Sequence, residues 1–165
     1  MMYRIAGYTN TADCLENAIC SYEYGGTNGD LAFGSGTSFS NLLKSSSEYQ
    51  SIKQQAINIA QANRSIAYYT FSGSTVLSSN ADLYLALHKV DYTVTVEKYT
   101  YFNYNISISF HDTYDFAPAD WQNYGGTPRS LILNYIVNYA YEAQCANIID
   151  PYEIYLYTTD QFYLP

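Results

Sequence analysis

The sequence predicts an α+β domain: an antiparallel sheet of about five strands, with a middle helix and a long C-terminal helix packed on it. Three observations carry that expectation. Two neighbouring runs, 90–98 and 104–112, alternate apolar and polar side chains at the two-residue period of half-buried strands. Two others, 45–63 and 130–146, repeat apolar residues at helical spacing. Tyrosine supplies 21 of the 165 residues while only 13% are charged, which argues against disorder and for an aromatic, β-rich body.

Taken in order, residues 1–38 are weakly patterned, and GGTNGDLAFGSGTS (25–38) holds five glycines. This stretch reads as a flexible N-terminal segment or linker, leaving 39–165 as a single α+β domain large enough for a real core. A helix can start around Ser45–Ser47, with serine as N-cap and Glu48 in the first turn, where its charge suits the exposed N–H groups. Ile52, Ala56, Ile59 and Ala60 then mark one face through Asn63. IAYYTFSGSTVL (66–77) reads as a strand with a bulge or turn at Gly73. ADLYLALHK (81–89) suits either a short helix or a strand.

Val90, Tyr92, Val94 and Val96 alternate with Asp91, Thr93, Thr95 and Glu97. After a turn at 99–103, Tyr104, Ile106, Ile108 and Phe110 alternate with Asn105, Ser107, Ser109 and His111. These two runs should form an antiparallel hairpin. A loop over 117–130 carries two prolines, Asp120, the only tryptophan (Trp121) and Arg129. In the C-terminal helix, Leu131, Tyr135 and Tyr139 form one apolar row, and Asn134 and Asn138 a polar stripe. YEIYLYTT (152–159) is a last aromatic strand.

The net charge is −8, and from Tyr99 onward seven acids face one base, Arg129. Such a chain opposes nonspecific nucleic-acid binding, which rests on Lys and Arg against phosphates. Three cysteines (Cys14, Cys20, Cys145) make no disulfide framework or zinc pattern, although Cys14 and Cys20 are close enough in sequence to bridge. No run reaches the roughly 18 apolar residues of a membrane span, and none resembles a signal peptide. A protein of this kind working outside its cell would be secreted or delivered by a carrier.

The parity of the 104–112 run breaks at Asp112, a carboxylate where the core face expects an apolar residue. An isolated buried carboxylate must sit at a rim, find a cation, or carry a raised pKa. Asp115 follows three residues on, with Tyr114 between. A polar strand end leading into a turn accounts for this pattern. So does a site in which two carboxylates hold a hard cation, Mg²⁺ or Ca²⁺, or act as acid–base groups on a scissile bond. His111 faces the other way, which favours a surface histidine. Arg129 could clamp a phosphate or pair with an acid.

Asp112-Thr113-Tyr114-Asp115 resembles the Asp-x-Tyr-Asp motif of colicin M-type toxin domains. Those domains cut the lipid II peptidoglycan precursor between undecaprenol and pyrophosphate in a Mg²⁺-dependent reaction. There the motif is closely followed by His-Arg. Here Trp121 and Gln122 stand six and seven residues after Asp115, and Arg129, farther on, is the displaced candidate. More broadly, over roughly 42–160, DLYLALHKVDY (82–92), SFHDTYDF (109–116) and LILNYIVNYAYEAQCANIIDPYEIYL (131–156) come in an order similar to C-terminal domains of bacterial polymorphic toxins.

The resemblance implies a bacteriocin-like antibacterial toxin delivered to the target-cell envelope, a hydrolase of a lipid-linked precursor at a membrane surface. It also implies a cognate immunity protein. Asp112, Tyr114, Asp115 and Arg129 would be the catalytic residues, with Asp112 and Asp115 as metal ligands. The alternative is a non-catalytic, Tyr-rich binding module for a glycan or protein partner.

Overall fold

The structure, a computed structural model, describes residues 7–23, 30–115, 138, 141–146 and 151–165. Its elements are α1 (Thr9–Glu23), β1 (Leu31–Phe33), α2 (Ser38–Lys44), α3 (Ser47–Ala62), β2 (Tyr68–Val76), α4 (Ala81–Leu87), β3 (Lys89–Lys98), β4 (Asn103–Tyr114) and β5 (Tyr152–Tyr163). The strands form one five-stranded sheet in the order β1-β5-β4-β3-β2.

The expected hairpin is present. β3 and β4 pair antiparallel from Asp91↔His111 to Lys98↔Tyr104. Their alternation builds the core: Val90, Val94, Val96, Tyr104, Ile106, Ile108 and Phe110 are all buried on one sheet face. Against them lie Phe39 and Leu43 of α2, Tyr49, Ile52, Ala56 and Ala60 of α3, and Leu83, Ala86 and Leu87 of α4. The other face is polar, with Thr70, Ser72, Ser74, Ser107, Tyr157, Thr159 and Gln161 exposed. Among the described residues, helices lie on one side of the sheet only.

α3 begins as its sequence requires. Ser46 is the N-cap, its hydroxyl accepting from the Tyr49 N–H. Glu48 also reaches across to accept from the N–H groups of Ser78 and Ser79, 2.9 and 2.8 Å away, tying the helix start to the end of β2. Of the ambiguous 81–89 stretch, Ala81–Leu87 is helix α4 and Lys89 opens β3; the helix starts where the Asn80 side chain accepts from the N–H groups of Asp82 and Leu83.

Three expectations change, and one open possibility, the Cys14–Cys20 bridge, closes. The sheet is not wholly antiparallel: β1 pairs parallel with β5 at the edge. It comes from the glycine-rich stretch read as loop, since three residues are too few to display a period. Within residues 1–38, read as flexible segment or linker, Thr9–Glu23 is helix and Leu31–Phe33 is strand. The Asp82 carboxylate accepts from the Asn10 and Thr11 backbone N–H groups at 3.1 and 2.9 Å, which satisfies the first turn of α1 from another element. Gly73 is neither bulge nor turn. β2 runs unbroken from Tyr68↔Glu97 to Val76↔Lys89, and Gly73 instead makes room for Tyr92, whose hydroxyl would lie 2.5 Å from an added Cβ. Cys14 is a free, buried thiol rather than half of a bridge, and burial pushes its pKa up to about 12. The Cys20 side chain lies outside the described residues.

Of the helix expected over 130–146, Asn138 and 141–145 are helical, and Ala143 is buried in the core. The rest of that helix, including Leu131, Asn134, Tyr135 and Tyr139, lies outside the described residues, as do the 117–130 loop and Arg129.

Candidate functional site

β4 carries the carboxylate pair to its C-terminal end. Along its core face, Phe110 is fully buried, Asp112 is half-buried, and Tyr114 is buried again. The parity break read from the sequence is therefore real: Asp112 sits between two apolar neighbours of its own face, opposite Ile154 of β5. Burial is the main cause that pushes its carboxyl up to about 8. The charge of Asp115 adds to this, and Glu153 and Asp91 add less, against one favourable bond from the Thr113 backbone N–H. Asp115 lies just past the strand and is exposed.

Tyr114 packs its ring on Tyr152, centroids 5.3 Å apart. The Tyr152 hydroxyl donates to the Cys14 carbonyl at 2.5 Å, fastening α1 beneath this end of the sheet. Tyr114 and Tyr152 thus pack as a pair on the core face next to Asp112, tied to α1 through Cys14.

The opposite face of the same strand end holds a second polar group, which sequence reading did not assemble. His111 Nε2 lies 2.6 Å from Glu153 Oε2, and the Thr113 hydroxyl donates to both Glu153 oxygens at 3.2 and 3.1 Å. The imidazole stacks on Tyr155, centroids 4.8 Å apart. His111 does face away from Asp112, as parity required, but it is held by a carboxylate rather than standing alone. The alternation of YEIYLYTT puts Glu153 on the polar face. Which residue it would meet depends on a register set by residues 42 positions away.

Asp112, Tyr114 and Asp115 therefore share one strand end, and Arg129 lies outside the described residues. Among the described residues no three His, Cys, Asp or Glu side chains group as a metal centre. Asp112 offers one carboxylate on the core face and Asp115 a second just past the strand end. Hard oxygen donors of this kind suit Mg²⁺, which commonly takes one or two protein carboxylates and fills its shell with water and substrate phosphate oxygens.

No protein-family model matches the chain, and no curated protein matches it. Two solved structures are weakly similar. The bacteriocin syringacin M from Pseudomonas syringae pv. tomato DC3000 matches with TM-score 0.29 and 12% identity. An aspartate-to-alanine mutant of the same bacteriocin matches with TM-score 0.29 and 11% identity. Each match covers 59% of this chain and 35% of the other, so the chain spans about a third of that protein's length. Among the described residues no helix is long and apolar enough to cross a membrane.

Proposed function

We propose that this chain is an antibacterial toxin domain delivered to the cell envelope, where it hydrolyses a phosphodiester in a lipid-linked peptidoglycan precursor. The observation that carries the reading is Asp112. It is a carboxylate on a core-facing strand position, held up to about pH 8, with Asp115 three residues on in an Asp-x-Tyr-Asp motif. Positions of this kind are unfavourable for folding and are kept where chemistry needs them.

Asp112 and Asp115 would hold Mg²⁺, or Ca²⁺ in its place. The bound cation would supply Lewis-acid polarisation of a phosphate oxygen. Asp115, exposed just past the strand, would orient an attacking water. Tyr114 would orient the phosphate from the edge of the core where its ring packs on Tyr152. Arg129 would offset the charge that develops on the phosphate oxygens as the lipid alcohol leaves. A cognate immunity protein would cover this strand end in the producing cell.

Expression in a bacterium with and without periplasmic targeting tests the reading, together with cleavage of the purified precursor with and without Mg²⁺. Growth arrest should require targeting, and both arrest and cleavage should disappear in Asp112→Asn and Asp115→Asn. Equal toxicity of the parent and both variants would sink it.

A second reading, a binding module for a glycan, has one observation in its favour. Tyr157 and Tyr163 are 45% and 59% exposed on the polar sheet face, amid Ser, Thr, Asn and Gln side chains. Rigid rings beside hydroxyl and amide groups suit sugar faces. Binding of soluble glycan fragments that is lost in Tyr157→Ala but kept in Asp112→Asn would establish it.

A further inference from the structure

The two edges of the sheet are finished differently. At one edge β1 is three residues long, too short to template another strand. At the other edge β2 runs nine residues in unbroken register with β3. Its sequence, YYTFSGSTV, has no charged residue and no proline, and its pairing has no bulge. It therefore lacks the shortness, charge, proline and bulge by which sheet edges are ordinarily closed to other strands. Among the described residues its backbone ladder is with β3 alone, so the outward-pointing half of its N–H and C=O groups faces solvent. Exposed apolar bulk stands at both ends of its polar face: Tyr68 is 61% and Val76 42% exposed, with Thr70, Ser72 and Ser74 between them.

We propose that β2 pairs antiparallel with β2 of a second copy of this chain, about a two-fold axis at Ser72, joining two five-stranded sheets into one. Ser72 is the middle residue of the strand, so this axis pairs all nine residues. It sets Tyr68 on Val76 of the second copy at both ends, Thr70 on Ser74, and Ser72 on itself. Aromatic-on-β-branched and hydroxyl-on-hydroxyl pairs directly opposite one another are favourable cross-strand contacts. The absence of charge is what singles out a second copy as the occupant. A strand meeting itself head to tail at its centre sets identical residues face to face, where any charge would repel its own image. The contact is isologous and consumes the β2 edge of both copies. At the other edge β1 is three residues long, and beyond it the Thr159 N–H and C=O of β5 are taken by Ser35 and Lys44, so the pairing closes on a dimer. β2 is two strands away from β4, so this pairing does not involve the carboxylates, and its failure would leave the proposed function standing.

Sedimentation of the full chain over a concentration series should give a monomer–dimer equilibrium. Ser72→Lys changes an exposed side chain, so the circular dichroism spectrum should hold while the dimer is lost. Cross-linking gives a second, independent readout, in a background carrying Cys20→Ser and Cys145→Ser. Ser72→Cys puts two thiols directly opposite across the axis, within disulfide reach, and mild oxidation with diamide should link the chains. Ser74→Cys faces Thr70 of the second copy and should not link. A monomer at every concentration, a Ser72→Lys protein that stays dimeric, or equal linking at 72 and 74 overturns the proposal.

Discussion

Two half-hidden carboxylates, Asp112 and Asp82, show opposite energetics. Asp82 is buried but satisfied: it accepts from the Asn10 N–H and side-chain amide and from the Thr11 N–H and hydroxyl, all within 3.1 Å. Asp82→Ala would leave those donors unpaired inside the fold, and it should cost about 3 kcal/mol in urea denaturation. Hydrogen exchange should show α1 loosening first. Asp112 lacks such a set. Its folded pKa, about 8, lies above its ordinary value of 3.8, so the fold favours the protonated form. The associated stability is present below about pH 4 and is lost as pH rises through about 8. Asp112→Asn should therefore melt higher than the parent, with a gap that widens from pH 4 to pH 8. Melts over that range check it. A variant that melts lower at every pH would mean that Asp112 is scaffolding, for which a loss of about 1–3 kcal/mol is the ordinary figure.

At the scale of single elements, a strand's residues are chosen by the strand beside it. Gly73 in β2 looks like a break, yet it lies under the Tyr92 ring, which also meets Phe71 edge-on, centroids 6.5 Å apart, and Phe110 at 6.2 Å. An alanine Cβ at 73 would come within 2.5 Å of the Tyr92 hydroxyl and 2.7 Å of Cζ. The ring must shift against both neighbours, so Gly73→Ala should destabilise by about 1–2 kcal/mol, an overpacking cost. Adding Tyr92→Leu should recover most of that loss. If the two substitutions simply add in a double-mutant cycle, the two residues are not coupled and the close approach is not what keeps a glycine there.

For the whole molecule, residues 1–38 are stitched to the rest, to the last strand above all. Tyr152 of β5 bonds to Cys14 of α1, and β1 lies parallel on β5. Phe33 meets Phe39 edge-on at 5.0 Å, and Asp82 holds the start of α1. Deleting residues 1–38 removes all of these links and bares one side of β5. The 39–165 fragment should lose several kcal/mol, and each kcal/mol lowers the melting temperature by about 2–4 °C in a chain of this size. Comparing thermal melts and proton–nitrogen spectra of fragment and full chain tests this. A fragment that melts with the parent would make residues 1–38 a linker after all.

What the sequence by itself determined were features that repeat within one element. The periods of β3, β4 and α3 were legible because burial on one face imposes them residue by residue. The breach at Asp112 was legible because it violates that period. A serine cap within 45–47 could be placed because the cap's partner, the Tyr49 N–H, lies within one turn, whereas the bonds of Glu48 to Ser78 and Ser79 could not be. Only the tertiary structure decided the rest. β1 is too short to have a period, and its parallel mate lies more than 120 positions away. α4 is helix rather than strand through Asn80 just before it, a choice that propensity left even. His111 and Glu153 meet because the β4–β5 register sets their strands side by side. Local pattern fixes which way a side chain points, while its neighbour on the next strand depends on how distant segments align, and no single segment encodes that.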